Sequence, residues 1–184
     1  MLIVRYAKIA MNLALAAFFL LVTFDNITDY GSNYQFVQHV LSMDTTFPGN
    51  ALMYRAITEP LLWHLAYGIV IALQGVTGVL YLLGAVRLYQ ALRAPGAGFE
   101  QAKTYTIAAG TLGFVIFFFL FMVIGGEWFS MWQSKDWNAQ TAAFRFYIAV
   151  LGVLIFVALP DADLPGNTAK HGTRKRQDAD KVER

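Results

Sequence analysis

The chain has 184 residues, 57% of them hydrophobic and 14% charged, where an ordinary soluble domain carries about 25% charged residues. Its formal net charge is only +2, which gives no footing for nucleic-acid binding, and the composition excludes a surface made to be covered by water. Cysteine is absent, so disulfides, thiolate nucleophiles and cysteine-ligated metal or iron–sulfur sites are excluded as well.

Four segments meet the requirement of about 20 mostly apolar helical residues for crossing a bilayer. They run roughly from Tyr6 to Phe24, Leu61 to Val86, Tyr105 to Ile124 and Ala142 to Leu159. None alternates as a barrel strand does, and an open sheet edge in lipid would leave backbone polar groups unpaired, so all four are predicted to be helices. The expected architecture is all-α, a four-helix transmembrane bundle over residues 1–165 with a tail at 166–184.

The first span follows Arg5 and Lys8 and leads into Thr23-Phe24-Asp25-Asn26. That stretch lacks the small-x-small pattern of a cleaved signal, so the helix is expected to remain. Asn26-Ile27-Thr28 fits the short glycosylation pattern, to which no function is assigned. The loop from about Asp25 to Pro60 contains a segment, Asn33 to Met43, in which Tyr34, Val37 and Leu41 fall at helical spacing beside Phe36 and Val40. It reads as a short amphipathic helix that packs over the bundle, lies on the membrane or docks a partner.

Thr58-Glu59-Pro60 opens the second span, with a hydroxyl available to cap and a proline suited to the first turn. Within that span His64, Tyr67, Gln74 and Tyr81 fall within an arc of about 100° on a helix of about 100° per residue. This inward polar stripe is either interhelical hydrogen bonding, with Asn12 as a partner, or the wall of a polar path or cofactor site. No acidic or basic residue lies deep in any span, which disfavours proton pumping.

Gly68, Gly75 and Gly78 on the second span, with Thr106, Ala109, Gly110 and Gly113 on the third, give small-xxx-small spacings for close helix approach, within a monomer or a homo-oligomer. The third span is expected to stop at Gly125 and Gly126. Beyond it, Trp128, Phe129, Trp132 and Trp137 sit among Glu127, Lys135 and Asp136, a composition that suits an aromatic interfacial belt. Pairing of Glu127 or Asp136 with Arg145 is also expected. The alternative is an outward-facing aromatic pocket for a lipid-like ligand, or a partner surface, using His39, Glu127, Trp128, Trp132, Trp137 and Arg145 with Trp63 and Tyr67. Pro160 and Pro165 end the fourth span, and the polar tail after Gly166 has the composition of a disordered segment.

Basic residues near the spans favour the cytoplasmic side. Eleven Lys or Arg lie in the N-terminus, the middle loop and the tail, against three (Arg55, Lys135 and Arg145) in or beside the other loops. Both ends are therefore expected inside. No metal-binding spacing and no catalytic motif is recognisable, so catalytic and metal residues are expected to be none. A haem held by His64 and His39 or a bound quinone are the cofactor alternatives.

The strings Tyr34-Gln35-Phe36-Val37-Gln38-His39-Val40-Leu41-Ser42-Met43-Asp44-Thr45 and Gly126-Glu127-Trp128-Phe129-Ser130-Met131-Trp132-Gln133-Ser134 resemble a bacterial family of predicted small integral membrane proteins, the domain of unknown function 2165 family. The four-span layout agrees with that resemblance, which covers nearly all of the chain except the tail. It implies a bacterial inner-membrane location and carries no activity, cofactor or catalytic residue with it. The leading expectation is a non-enzymatic membrane protein that binds lipid or a larger membrane complex. The alternatives are a channel or carrier for a small neutral solute and a haem- or quinone-binding redox subunit.

Overall fold

The computed structural model describes residues 2–164. The tail expected at 166–184 lies outside them. Among the described residues every regular element is helical: α1 (Leu2–Thr28), α2 (Tyr30–Ser42), α3 (Pro60–Gln90), α4 (Gly96–Gln101), α5 (Thr104–Phe114), a π-helix (Val115–Trp128) and α6 (Gln140–Ala158). Four stretches are long and apolar enough to cross a membrane: α1, α3, the run Gly96–Trp128 and α6. The expected bundle of four spans is present.

Its helices are longer than the hydrophobic runs that announce them. α1 continues through Asp25 and Asn26 to Thr28, and a bend at Asp29 separates it from α2. Asn26 of the glycosylation triplet is buried inside the bundle. α3 begins with Pro60 in its first turn, but Glu59 takes the N-cap position and no side chain caps the helix, so Thr58 does not play that part. The third span passes through Gly125 and Gly126 to Trp128. Glycine is a weak helix former, yet both are buried here, and a Cβ on Gly126 would lie 2.7 Å from Gln140 Nε2. Close packing against α6 keeps the helix going where local propensity would end it. The second half of this span is a π-helix 14 residues long, whereas such helices occur mostly as single turns.

α1 packs along α3, α3 along α5, α5 and the π-helix along α6, and α6 against α1. Small residues set these distances. Cβ atoms added to Gly78 and Gly84 would reach 2.8 Å from Leu20 Cγ on α1 and 2.5 Å from Thr106 Oγ1 on α5. Added to Gly110 and Gly113 they would press on Leu154 and Phe19, at 2.9 Å each. Gly68 differs from the expected set, because nothing lies within 4 Å of its missing side chain.

The apolar interior forms three tiers along the bundle. Ile9, Leu88, Leu92 and Phe99 fill the end that carries the N-terminus, while Ala16, Phe19, Tyr81, Ala109, Ile116, Phe117 and Val150 fill the middle. Val40, Met43, Phe129 and Met131 join α2 to the loop after the π-helix at the opposite end, called the cap face below. The two strings that carry the family resemblance meet in this last tier.

At the N-terminal face, Arg5, Lys8 and Lys103 are buried rather than solvated as flanking charges. Lys8 Nζ donates to the carbonyls of Val157 and Leu159, at 3.2 and 2.7 Å, and to Asp161 Oδ2 at 2.5 Å. Lys103 Nζ donates to Leu159 O at 2.8 Å and Glu100 Oε1 at 2.7 Å, and pairs with the same Asp161 oxygen at 2.7 Å. Carbonyls in the last turn of a helix have no partner within it, and cations complement that end of the helix dipole. The two lysines thus serve as the cap of α6, with Asp161 as their shared counter-ion. Arg5 does the same for the turn after α3, donating to Leu92 O and Ala94 O at 3.0 and 2.7 Å and to Ala162 O at 3.1 Å, with its guanidinium 4.4 Å over the Phe99 ring. Burial alone would raise the pKa of Asp161, but hydrogen bonds from Lys103 and Lys8 outweigh it and hold the carboxyl below its ordinary 3.8.

Candidate functional site

A cavity of about 680 Å³ lies in the cap-side half of the bundle. It falls within the roughly 300–1,000 Å³ range of small-molecule sites. Its walls come from α1 (Phe18, Val22, Asn26), α2 (Phe36, Val37, Val40), α3 (Tyr67, Val70, Gln74), the π-helix (Phe117, Leu120, Phe121, Ile124), the following loop (Phe129, Met131, Trp137) and α6 (Ala143, Phe146). The bend at Asp29 lets α2 lie across this space, and Phe36 on α2 stacks on Phe121 with ring centroids 6.0 Å apart. Among the described residues two that are not glycine adopt left-handed backbone, Met43 at φ 55° and Ser130 at φ 54°, the latter between the lining residues Phe129 and Met131. Such conformations cost roughly 1–3 kcal/mol and persist only where surrounding packing dictates them.

A polar cluster interrupts the apolar wall, apart from Ser32, Asp136 and Asn138, which also line it. Asn26 Nδ2 donates to Gln74 Oε1 at 2.8 Å, Asn33 Nδ2 donates to Asn26 Oδ1 at 2.7 Å, and Tyr67 Oη reaches the same oxygen at 3.2 Å. Gln74 lies 14 residues into α3, about 21 Å along the helix at about 1.5 Å per residue. The cluster therefore runs inward from Asn33, which is exposed on α2, to the buried Asn26 and Gln74.

Of the stripe read from α3, Tyr67, Gln74 and Tyr81 turn inward and are buried. His64 does not: it is exposed at the rim, where Tyr30 Oη and its Nδ1 share a 2.8 Å hydrogen bond and Tyr34 stacks on it at 4.3 Å. The partner that ties the stripe to α1 is Asn26, not Asn12. Asn12 donates within its own helix to Lys8 O at 2.7 Å. Tyr81 Oη is buried without a hydrogen-bond partner among the described residues. Asn26 escaped the sequence reading because it sits among Asp25, Asn26 and Thr28, which look like the start of a loop.

The residues grouped on the outer aromatic segment do not form one surface. His39 stacks on Trp137 at 4.6 Å and pairs with Asp44 at 2.8 Å, next to the cavity. Trp128 is half exposed beneath the Arg55 guanidinium, 4.5 Å from its ring, and Trp132 meets Phe47 edge-on at 5.8 Å. Glu127 and Arg145 are exposed, and neither Glu127 nor Asp136 forms an ion pair with Arg145. Trp63 is used structurally, its Nε1 donating to Ile57 O at 2.7 Å. His39 and His64 have separate neighbours. Among the described residues no group of three or more His, Asp or Glu side chains is arranged to hold a metal ion.

A family model described as a predicted small integral membrane protein, domain of unknown function 2165, matches residues 4–160. No curated protein and no solved structure matches the chain.

Proposed function

Since the chain belongs to this family of predicted small integral membrane proteins, we propose that its job is to hold a lipid-like molecule in the cap-side cavity. The observation that carries the reading is the cavity itself: a space of about 680 Å³, walled mostly by phenylalanine and aliphatic side chains, with an amide cluster that leads in to Gln74 and with Ser32, Asp136 and Asn138 also in the lining. Ligand sites commonly combine an apolar wall with a few placed polar groups that orient the occupant. The protein acts as a binding subunit, alone or within a larger membrane complex, and performs no chemistry on what it holds. Its setting is a bacterial inner membrane with the N-terminal face cytoplasmic, a placement supported by Arg5, Lys8, Arg87, Arg93 and Lys103 on that side and by the bias of such residues toward the cytoplasm.

Organic extraction of protein purified in mild detergent, followed by mass spectrometry, tests the reading. Wild type is expected to release a lipid-like molecule in near-equal amount to protein. Val37→Trp, which projects an indole into the cavity from α2, is expected to lose it. Equal recovery from the two proteins would contradict the proposal.

A further inference from the structure

The chemical class of the occupant follows from the wiring of the amide cluster, given the cavity reading above. Asn26 Oδ1 accepts from both Asn33 Nδ2 and Tyr67 Oη, at 2.7 and 3.2 Å. Both of its acceptor positions are filled, so Asn26 meets Gln74 with its amino group, donating to Gln74 Oε1 at 2.8 Å. Gln74 is 4% exposed and lines the cavity. With its oxygen turned toward Asn26, its Nε2 is left with no hydrogen-bond partner among the described residues. A nearly buried donor in apolar surroundings is costly unless an acceptor comes to it.

The charges narrow the choice. Among the described residues no Lys or Arg lines the cavity, and its one charged residue is Asp136. A phosphate or carboxylate head would find no cation there and would face a carboxylate at the rim. It would also have to leave water to reach Gln74, which is buried at the inner end of the amide cluster. An uncharged carbonyl can enter to that depth. Its chain would lie against Phe18, Phe117, Phe121 and Phe146.

We infer that the cavity takes a long-chain lipid with an uncharged carbonyl head, an acyl ester or a quinone, whose oxygen accepts a hydrogen bond from Gln74 Nε2. Trp137 lines the same cavity, which supplies the readout. In a protein with Trp63, Trp128 and Trp132 replaced by Phe, Trp137 fluorescence is titrated with dibromostearate methyl ester, free dibromostearate, the matching dibrominated alkane and an alkyl benzoquinone.

The ester or the quinone, or both, should quench saturably and bind about fivefold tighter than the alkane, the worth of one neutral hydrogen bond. Free dibromostearate should bind weakest. Gln74→Leu should erase the preference for the carbonyl probe while leaving alkane binding in place, which also reports that the variant keeps its cavity. Whichever carbonyl probe binds tighter identifies the source. Saturable but equal binding of ester, quinone and alkane, or anion binding as tight as the ester, overturns the carbonyl assignment and leaves the cavity reading standing. No saturable quenching by any probe overturns the cavity reading itself.

Discussion

The two ends of this bundle treat polar groups in opposite ways. At the N-terminal face three cations are buried and each ammonium meets three oxygens, so Lys8 and Lys103 have nothing left to offer a ligand. At the cap face the buried polar groups are neutral amides and hydroxyls, Asn26, Gln74, Ser130 and Ser134, and of these Asn26 and Gln74 line the cavity. The two lysines are saturated and hold helices in place, although Arg5 Nε beside them is buried without a hydrogen-bond partner among the described residues; a neutral amide that lines a cavity is the group open to an occupant. The N-terminal knot therefore has a structural role, and the binding capacity lies in the cap half.

The comparison is most easily broken at Asp161. Asp161→Asn removes the carboxylate that Lys8 and Lys103 share, and loss of one member of a buried pair costs about 3–5 kcal/mol. Thermal unfolding in detergent should show a large drop in midpoint, with retention of the cavity probe below that midpoint. Acid should act through the same group. Because the carboxyl is held below its ordinary 3.8, its contribution is complete above that value and is lost as pH falls through the lowered one. The wild-type midpoint should therefore fall with pH in that acid range, and the part due to Asp161 should vanish in Asp161→Asn.

A smaller effect separates packed from open glycines. Gly84→Ala places a methyl 2.5 Å from Thr106 Oγ1 and should cost about 1–3 kcal/mol as overpacking. Gly68→Ala, facing open space, should be neutral or stabilise by about 0.5–1 kcal/mol, since alanine is the better helix former. Equal effects at the two sites would show that the α3–α5 approach is not as close as described. The smallest effect is expected at His39→Ala, which removes one stack on Trp137 and one partly exposed hydrogen bond with Asp44. It should lower stability by about 0.5–1.5 kcal/mol. Unchanged unfolding would mean that the stack contributes nothing to holding α2 over the cavity.

Much of this layout was legible in the sequence because hydrophobic length and helical spacing are local signals. The four spans, the helix near Tyr34 to Leu41 and the inward turn of Tyr67, Gln74 and Tyr81 follow from runs and periodicity alone. The roles of Arg5, Lys8 and Lys103 were not legible. A cation beside an apolar run reads as a solvated flank, and its partners here, Val157, Leu159 and Asp161, come from the far end of the chain. Asn26 was hidden for the same reason: only tertiary pairing with Gln74 turns a loop-like asparagine into a buried one. The passage of the third span through Gly125 and Gly126 depends on the approach of Gln140, which no local propensity records.

Amide hydrogen exchange with and without the dibromostearate methyl ester tests the division of labour most directly. Occupancy should slow exchange in Tyr30–Ser42 and Val115–Trp128, which wall the cavity, and leave 2–12, 96–104 and 157–162 unchanged. Slowing confined to the N-terminal face, or no change at the cap, would contradict the assignment of binding to the cap half.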